Sequence, residues 1–559
     1  MKRIAYRFLA AISNARVGTV RVGTVRVGTG APARPRLRRD SRPGCPSRAK
    51  LGSCLRSRQL WNRQRLLCAA LMTFTSMIAL TNATAETRPH YGGTLRVMMK
   101  SAPNALDLPA NTTPADYWDI ARTLSLIGDT LVKLDALGRP QPALAVAWQS
   151  DPSARHWQLT LRRGVKFHDG SAASPGAIGQ ILGALHPGWN VRASADSVSI
   201  DSETAMPSLL AELALPRNLL LKRSSNDSRL PIGTGPFLIA EWQPGKRLKL
   251  AANEESWAGR PFVDAIEIEF GKSLRDQAIA LELDKTDVIE TAPQAANGSQ
   301  GHGRSSSSSL PVELLALVFS ANSKALDPRL REALALAIDR KPIQSVLLKG
   351  AGEPAAGILP NWMTGYSAVF SSQANPQRAR TLLTGSRQPT LNLNYDPRDP
   401  QAQLIAERIA LNAREVGITV QVSLSGAEDI RLVRAVLPSP DPATSLVETA
   451  RQLGMPQPAF PTTPRGNSLD DLYQTERTLL DGYAVIPLFH LPVASAASAR
   501  VRGWETDRLG EWSGVGLSLA DLWLADAWLA DRRTADSRPN DSRPNDSRPN
   551  DARPEAGSR

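Results

Sequence analysis

QAQLIAERIALNAREVGITVQV (401–422) decides the fold class. Ile405, Ile409, Ala413 and Val416 recur at three- and four-residue intervals, so they form one apolar stripe on a helix. Gly417 ends that helix, because glycine takes the left-handed conformation of a helix terminus without a side-chain clash. ITVQV then alternates as a half-buried strand does. A helix that feeds a strand through one short turn is an α/β unit.

Working outward, DPRLREALALAIDR (327–340) repeats the helical pattern. Asp327 suits an N-cap and Pro328 the first helical position, while Leu330, Leu334, Ala337 and Ile338 share a face. Earlier the period drops to two. Leu95, Val97 and Met99 line one side of a strand, as do Trp157, Leu159 and Leu161, so the first half is sheet-rich. Between the halves, NGSQGHGRSSSSS (297–309) has linker or surface-loop composition and marks a domain crossing.

The ends of the chain are different material. Residues 61–85 read WNRQRLLCAALMTFTSMIALTNATA: arginines, an apolar run over 66–80, then the small-x-small Ala83-Thr84-Ala85. This is the plan of a secretory signal peptide cleaved after Ala85, and its apolar run is shorter than a membrane span needs. Residues 1–60, with RVGTV repeated at 16–20 and 21–25, are a basic low-complexity extension, read either as a start assigned too far upstream or as a genuine basic arm. At the other end DSRPN recurs three times over 536–550, and 532–559 is expected to be disordered.

The formal charge of +14 belongs to the leader. Residues 1–85 hold 17 Lys/Arg against one Asp, and the rest of the chain 50 against 52. The body therefore has no basic excess with which to neutralise phosphates, which excludes a nucleic-acid partner. Cys45, Cys54 and Cys68 also lie in the leader, so a processed chain has neither disulfides nor thiolate chemistry. Leu51-Gly52-Ser53-Cys54 resembles a lipobox but has no apolar run before it. No HExxH or paired histidine spacing occurs among the six histidines. Gly516-Leu517-Ser518-Leu519-Ala520 lacks the last glycine of a nucleophile elbow, and Gly350-Ala351-Gly352 lacks the rest of a phosphate loop. Neither an enzyme nor a bound cofactor is expected.

Several segments, in order, resemble the family 5 extracellular solute-binding proteins, the group holding the dipeptide, oligopeptide and nickel-binding proteins of ABC importers. They are YGGTLRV (91–97), GRPQPALAVAW (138–148) with WQLTLRRGVKFHDG (157–170), PIGTGPFLIAEWQPG (231–245), DPRLREALALAIDRKPI (327–343) with GAGEPAAGILP (350–360), GITVQV (417–422) and AVIPLFH (484–490). The resemblance implies an α/β, two-lobed periplasmic-binding-protein fold of class II, with an extra N-terminal subdomain in lobe one. Lobe one would span 86–313 and 485–531, and lobe two 314–484, with crossings near LLALVFSAN (314–322) and AVIPLFH. It also implies a monomeric periplasmic receptor that captures a small ligand, a peptide in many members, and hands it to an inner-membrane ABC permease.

In that family a buried aspartate of a Pro-Asp-Pro-like loop holds the ligand's ammonium. Pro440-Asp441-Pro442 matches, making Asp441 the leading candidate contact, with Asn104 and Asn322 beside it and a plain turn as the alternative for Asp441. Val436-Leu437-Pro438-Ser439 replaces the usual aromatic residues before the loop, and Ser174-Pro175-Gly176 replaces the usual helix start after HDG. His168 and Asp169 read as scaffolding. These departures leave open a sensory or structural module on the same fold. A nickel or metal-complex carrier is the further alternative, for which His490 is the histidine near a crossing.

Overall fold

The computed structural model describes residues 91–108, 113–223, 230–293, 304–320, 327–366, 368–385, 389–424, 428–458 and 466–502, with isolated positions 460, 509, 528 and 529. The leader, the repeat tail, Asn322 and all of 297–303 lie outside them.

The strands used below are β1 (Thr94–Met98), β2 (Ala145–Ser150), β3 (His156–Leu161), β4 (Asn190–Ala193), β5 (Ser197–Asp201), β6 (Phe237–Gln243), β7 (Arg247–Ala252), β8 (Ala265–Glu269), β9 (Val288–Thr291), β10 (Ser305–Phe319), β11 (Leu391–Asn394), β12 (Val420–Val422), β13 (Ile430–Val436) and β14 (Val485–Ala497). The helices are α1 (Pro114–Leu124), α2 (Pro175–Leu185), α3 (Leu274–Glu282), α4 (Pro328–Ala337), α5 (Pro376–Leu383), α6 (Pro400–Glu415), α7 (Pro442–Gln452) and α8 (Leu469–Leu480).

One sheet, in the order β6-β7-β8-β1-β9-β14-β10-β13-β11-β12, runs through both lobes. β1 is parallel to β8 and β9, and β11 is parallel to β12 and β13, so each lobe has the parallel pairing of an α/β layer. The two lobes have separate cores. Leu95, Val97, Leu248, Ile266 and Ile268 centre that of lobe one, and Leu314–Phe319 with Ile405, Ile409 and Leu446 that of lobe two. A third core, around Leu159, Val198 and Ile200, lies under the antiparallel sheet β2-β3-β5-β4 and is the extra subdomain.

The glycine corner PIGTGPF locks that subdomain to the main body. Gly235 N donates to Ile127 O at 2.8 Å, and a Cβ on Gly233 would sit 2.1 Å from the same oxygen. His168 completes the joint. Its backbone N donates to Gly233 O (2.9 Å) and its Nε2 to Gly235 O (3.0 Å), so HDG and PIGTGPF are two halves of one scaffold.

Two sequence expectations are corrected. The serines 305–309 are not linker: they open β10, with Ser305 opposite Ala497, Ser306 opposite Ala496, Ser307 opposite Ser495 and Ser308 opposite Ala494. Small side chains on both strands let the crossing pair close, and the ladder overrides composition. The outgoing crossing strand thus starts nine residues before Leu314. Ser174-Pro175-Gly176 does not abolish a helix either. Ser174 Oγ accepts from Ala177 N at 3.3 Å, Pro175 takes the first turn, and Ile178 and Leu182 are buried, which offsets the three glycines inside α2.

Candidate functional site

β10 and β14 are the long antiparallel pair that joins the lobes. Beside this joint, a cavity of about 990 Å³ opens between lobe one and helix α7 of lobe two. Leu106 to Leu108, the end of α2, Met206 to Leu209, Leu219 and Leu221 to Arg223 form its lobe-one walls, and Ala443, Thr444, Val447 and Arg451 face them from α7.

The polar centre is Arg217, placed by the tight turn Pro216–Asn218. Its Nε and Nη2 donate to the two oxygens of Glu212 at 2.9 and 2.5 Å, and its Nη1 donates to Glu448 Oε2 on α7. Glu448 is fully buried and also accepts from Arg451 Nε (3.0 Å) and Nη2 (2.5 Å). Arg217 and Glu448 therefore form an ion pair across the lobes. Burial opposes the Arg217 charge, but Glu212 and Glu448 outweigh it and hold its pKa above the ordinary value. Tyr117, under the Arg451 guanidinium at 5.7 Å, has its phenol pushed above its usual range by burial and by Glu448.

Two more cations line the cavity. Lys222 pairs with Asp169 (2.6 Å) and lies over the Phe167 ring, and Arg223 pairs with Asp107 (3.3 Å). Together with Arg217 and Arg451, four cations meet Glu212, Glu448, Asp169 and Asp107. Each cation on this space has a partner acid, and the neutral lining mixes leucine with proline, alanine, serine and threonine.

On the other side of α1, a second space of about 340 Å³ separates Thr113 and Pro114 from the loop after β11. There Arg398 bridges the lobes, donating to Asp116 and to Asp396 at 3.0 Å each. A pocket of about 100 Å³ lies between Trp118 and Leu437 to Pro440.

The structure separates the residues expected from sequence. Asp441 is the N-cap of α7: its Oδ1 accepts from Thr444 N at 2.9 Å. It stands next to Ser439 and Pro440, which line the small pocket, and one turn before the α7 residues that face the large cavity. Asn104 is exposed on the loop held to Gly245, outside the cavity lining, while Asp107 from the same loop does line it. Asn322 lies outside the described residues. His490 is corrected as a cleft histidine: it is 2% exposed, its Nε2 donates to Ile358 O at 3.0 Å, and burial lowers its pKa to about 4.

Sequence reasoning missed Arg217, Glu448, His186 and Trp189. Arg217 and Glu448 are 231 positions apart, and nothing local to ELALPRN or SLVETARQ announces that they meet. Among the described residues no group of three or more His, Cys, Asp or Glu side chains could hold a metal ion.

Residues 193–436 match the family described as bacterial extracellular solute-binding proteins, family 5 Middle. The nickel-binding protein NikA of Staphylococcus aureus is 22% identical over 324 residues, 54% of this chain and 65% of the relative. The nickel-binding periplasmic protein of Escherichia coli is 26% identical over 350 residues, 55% of this chain and 66% of the relative. The chain thus spans just under two thirds of the length of these two relatives. Among solved structures, the dipeptide-binding protein of Pseudoalteromonas sp. SM9913 in complex with Met-Leu superposes with a TM-score of 0.65 at 17% identity, covering 78% of this chain and all of the other.

Proposed function

We propose that this chain is a family 5 extracellular solute-binding protein, the extracytoplasmic receptor of an ABC-type importer that closes its lobes on a peptide-like solute. The observation that carries this reading is the charge-balanced cavity of about 990 Å³ with one wall from each lobe. A zwitterion suits such walls. Its carboxylate can exchange for Glu212 or Glu448 on Arg217 and its ammonium can take a released carboxylate, whereas a polyanion would find no cation without a partner acid. Asp441 keeps its proposed role through the carboxylate oxygen that the helix cap does not use.

In this reading the leader at 61–85 is cleaved after Ala85, and the mature chain works in the periplasm as a monomer beside an inner-membrane permease. Lobe one comprises 86–313 and 485–531, and lobe two 314–484. Closure brings the lobes into a form that the permease distinguishes from the open one.

The test is native mass spectrometry of the purified protein, followed by thermal-shift screening with di- and tripeptides and small-angle scattering of the best hit. A co-purified or stabilising peptide with a smaller radius of gyration is expected. Scattering curves that coincide with and without a stabilising peptide would sink the closure mechanism, and a screen without any peptide hit would sink the peptide assignment.

One observation favours a second reading, a metal chelate. His186 lines the cavity, and its Nε2 meets Asn218 Oδ1 at 2.6 Å. Asn218 Nδ2 donates to Glu212, so its Oδ1 must accept, His186 Nε2 carries the proton, and Nδ1 keeps a lone pair. A metal already held by a small chelator could take that nitrogen. Calorimetry with nickel-histidine separates this reading from the first.

A further inference from the structure

Resting on the receptor reading, we infer that the cavity selects solutes bearing a large apolar or aromatic group, which docks on the wall made by Leu185, His186 and Trp189. These residues close α2. His186 N donates to Leu182 O at 2.9 Å, and the turn His186-Pro187-Gly188-Trp189 folds back so that Trp189 N donates to His186 O at 2.9 Å. The turn brings the two rings into a stack with centroids 3.6 Å apart and planes 9° from parallel.

Asn218 then fixes the stack in place. Its side chain is held by the backbone oxygen of Glu212 (2.6 Å) and by Glu212 Oε1 (3.0 Å), it is 1% exposed, and it grips the imidazole from behind. The aromatic surface is therefore set before a solute arrives, which avoids an ordering cost on binding.

Leu185, immediately before the stack, lines the same cavity yet is 45% exposed. Most leucines among the described residues are buried in a core; this one lines the space where a solute would sit, as Met206 does. A half-wet leucine beside a fixed aromatic stack gains from being covered by an apolar group, and a flat or branched side chain covers it best. Arg217, the neighbour of Asn218, offers the polar contact on the same side of the cavity. The solute class is accordingly a zwitterion with one large apolar side chain, as in a short peptide ending in phenylalanine or leucine.

Isothermal titration of the purified full chain with Ala-Phe and with Ala-Ala tests this. Ala-Phe should bind about tenfold or more tightly, the effect of burying one large apolar side chain. Leu185→Ala, at a half-exposed position that leaves the core intact, and Trp189→Ala should each narrow the ratio to about threefold or less. Equal affinities in the native chain, or a ratio that survives both substitutions, would overturn the inference and leave the receptor reading standing. Failure of both dipeptides to bind would overturn the peptide reading and this inference with it.

Discussion

At the residue scale, His490 shows how one side chain changes meaning between sequence and structure. In the chain it is a histidine near a lobe crossing; in the fold it is a buried donor to Ile358 O. The opposite side of the same segment is held by Glu476, which accepts from Leu359 N at 2.9 Å, from Ile358 N and from Tyr366 Oη at 2.6 Å. Burial lowers the His490 pKa from 6.5 to about 4, so the folded chain binds fewer protons there than the unfolded one. The resulting stability is present above pH 6.5 and is lost as the pH falls towards 4, by about 3 kcal/mol over that interval. His490→Gln removes this titration. Urea midpoints at pH 7 and pH 4.5 should therefore fall less in the variant than in the native chain, and equal falls would refute the assignment. His168, half-buried and hydrogen-bonded to Gly235 O 67 positions away, was legible as scaffolding because HDG and PIGTGPF are both recognisable motifs. His490 was not, because Ile358 is 132 positions away.

At the scale of elements, the helices were more legible than the strands. Asp327 caps α4 and Pro328 starts it, as the sequence predicts, because capping needs only neighbours within three residues, here Arg329 N. The stripe Ile405, Ile409 and Ala413 is fully buried for the same reason. β10 was misread at its start, since a run of serines has no strand signal until β14 supplies the partner ladder. The Asp441 loop lies between these cases. It is an N-cap, and whether it is more can be separated by two substitutions. Asp441→Ala should cost about 1 kcal/mol by loss of the cap, whereas Asp441→Asn should be nearly neutral, because asparagine caps equally well. If Asp441 also holds a ligand ammonium, Asn will lower peptide affinity about tenfold or more at unchanged melting temperature. Unchanged affinity would leave it a cap.

For the whole molecule, the decisive feature is how two cores are held on one sheet. Between Ser308 and Glu313 the pairing of β10 with β14 shifts register twice, and Pro311 faces Pro492 across the pair. Two residues without N–H groups interrupt the ladder between the lobe-one and lobe-two cores, which is where a pivot costs fewest hydrogen bonds. The lobes are tied away from this point by Arg217 with Glu448 and by Arg398 with Asp116. Arg217→Met should destabilise the chain by roughly 2 kcal/mol, since buried Glu448 loses one of its two cations and keeps Arg451 with the neutral Gln452 amide, and Glu448→Gln should recover part of that loss. Urea denaturation of the two single variants and the double variant measures this, and strictly additive losses would show that the pair is not coupled. The sequence by itself determined the α/β class, the helices with their caps, the family motifs and the neutral charge of the body, because each rests on neighbours or on totals. Only the tertiary structure decided the strand at 305–309, the burial of His490, and the cavity with Arg217, Glu448, His186 and Trp189 on its walls. Those contacts join residues far apart in the chain, and the physical quantities that define them, burial and charge pairing, do not exist until the lobes have folded together.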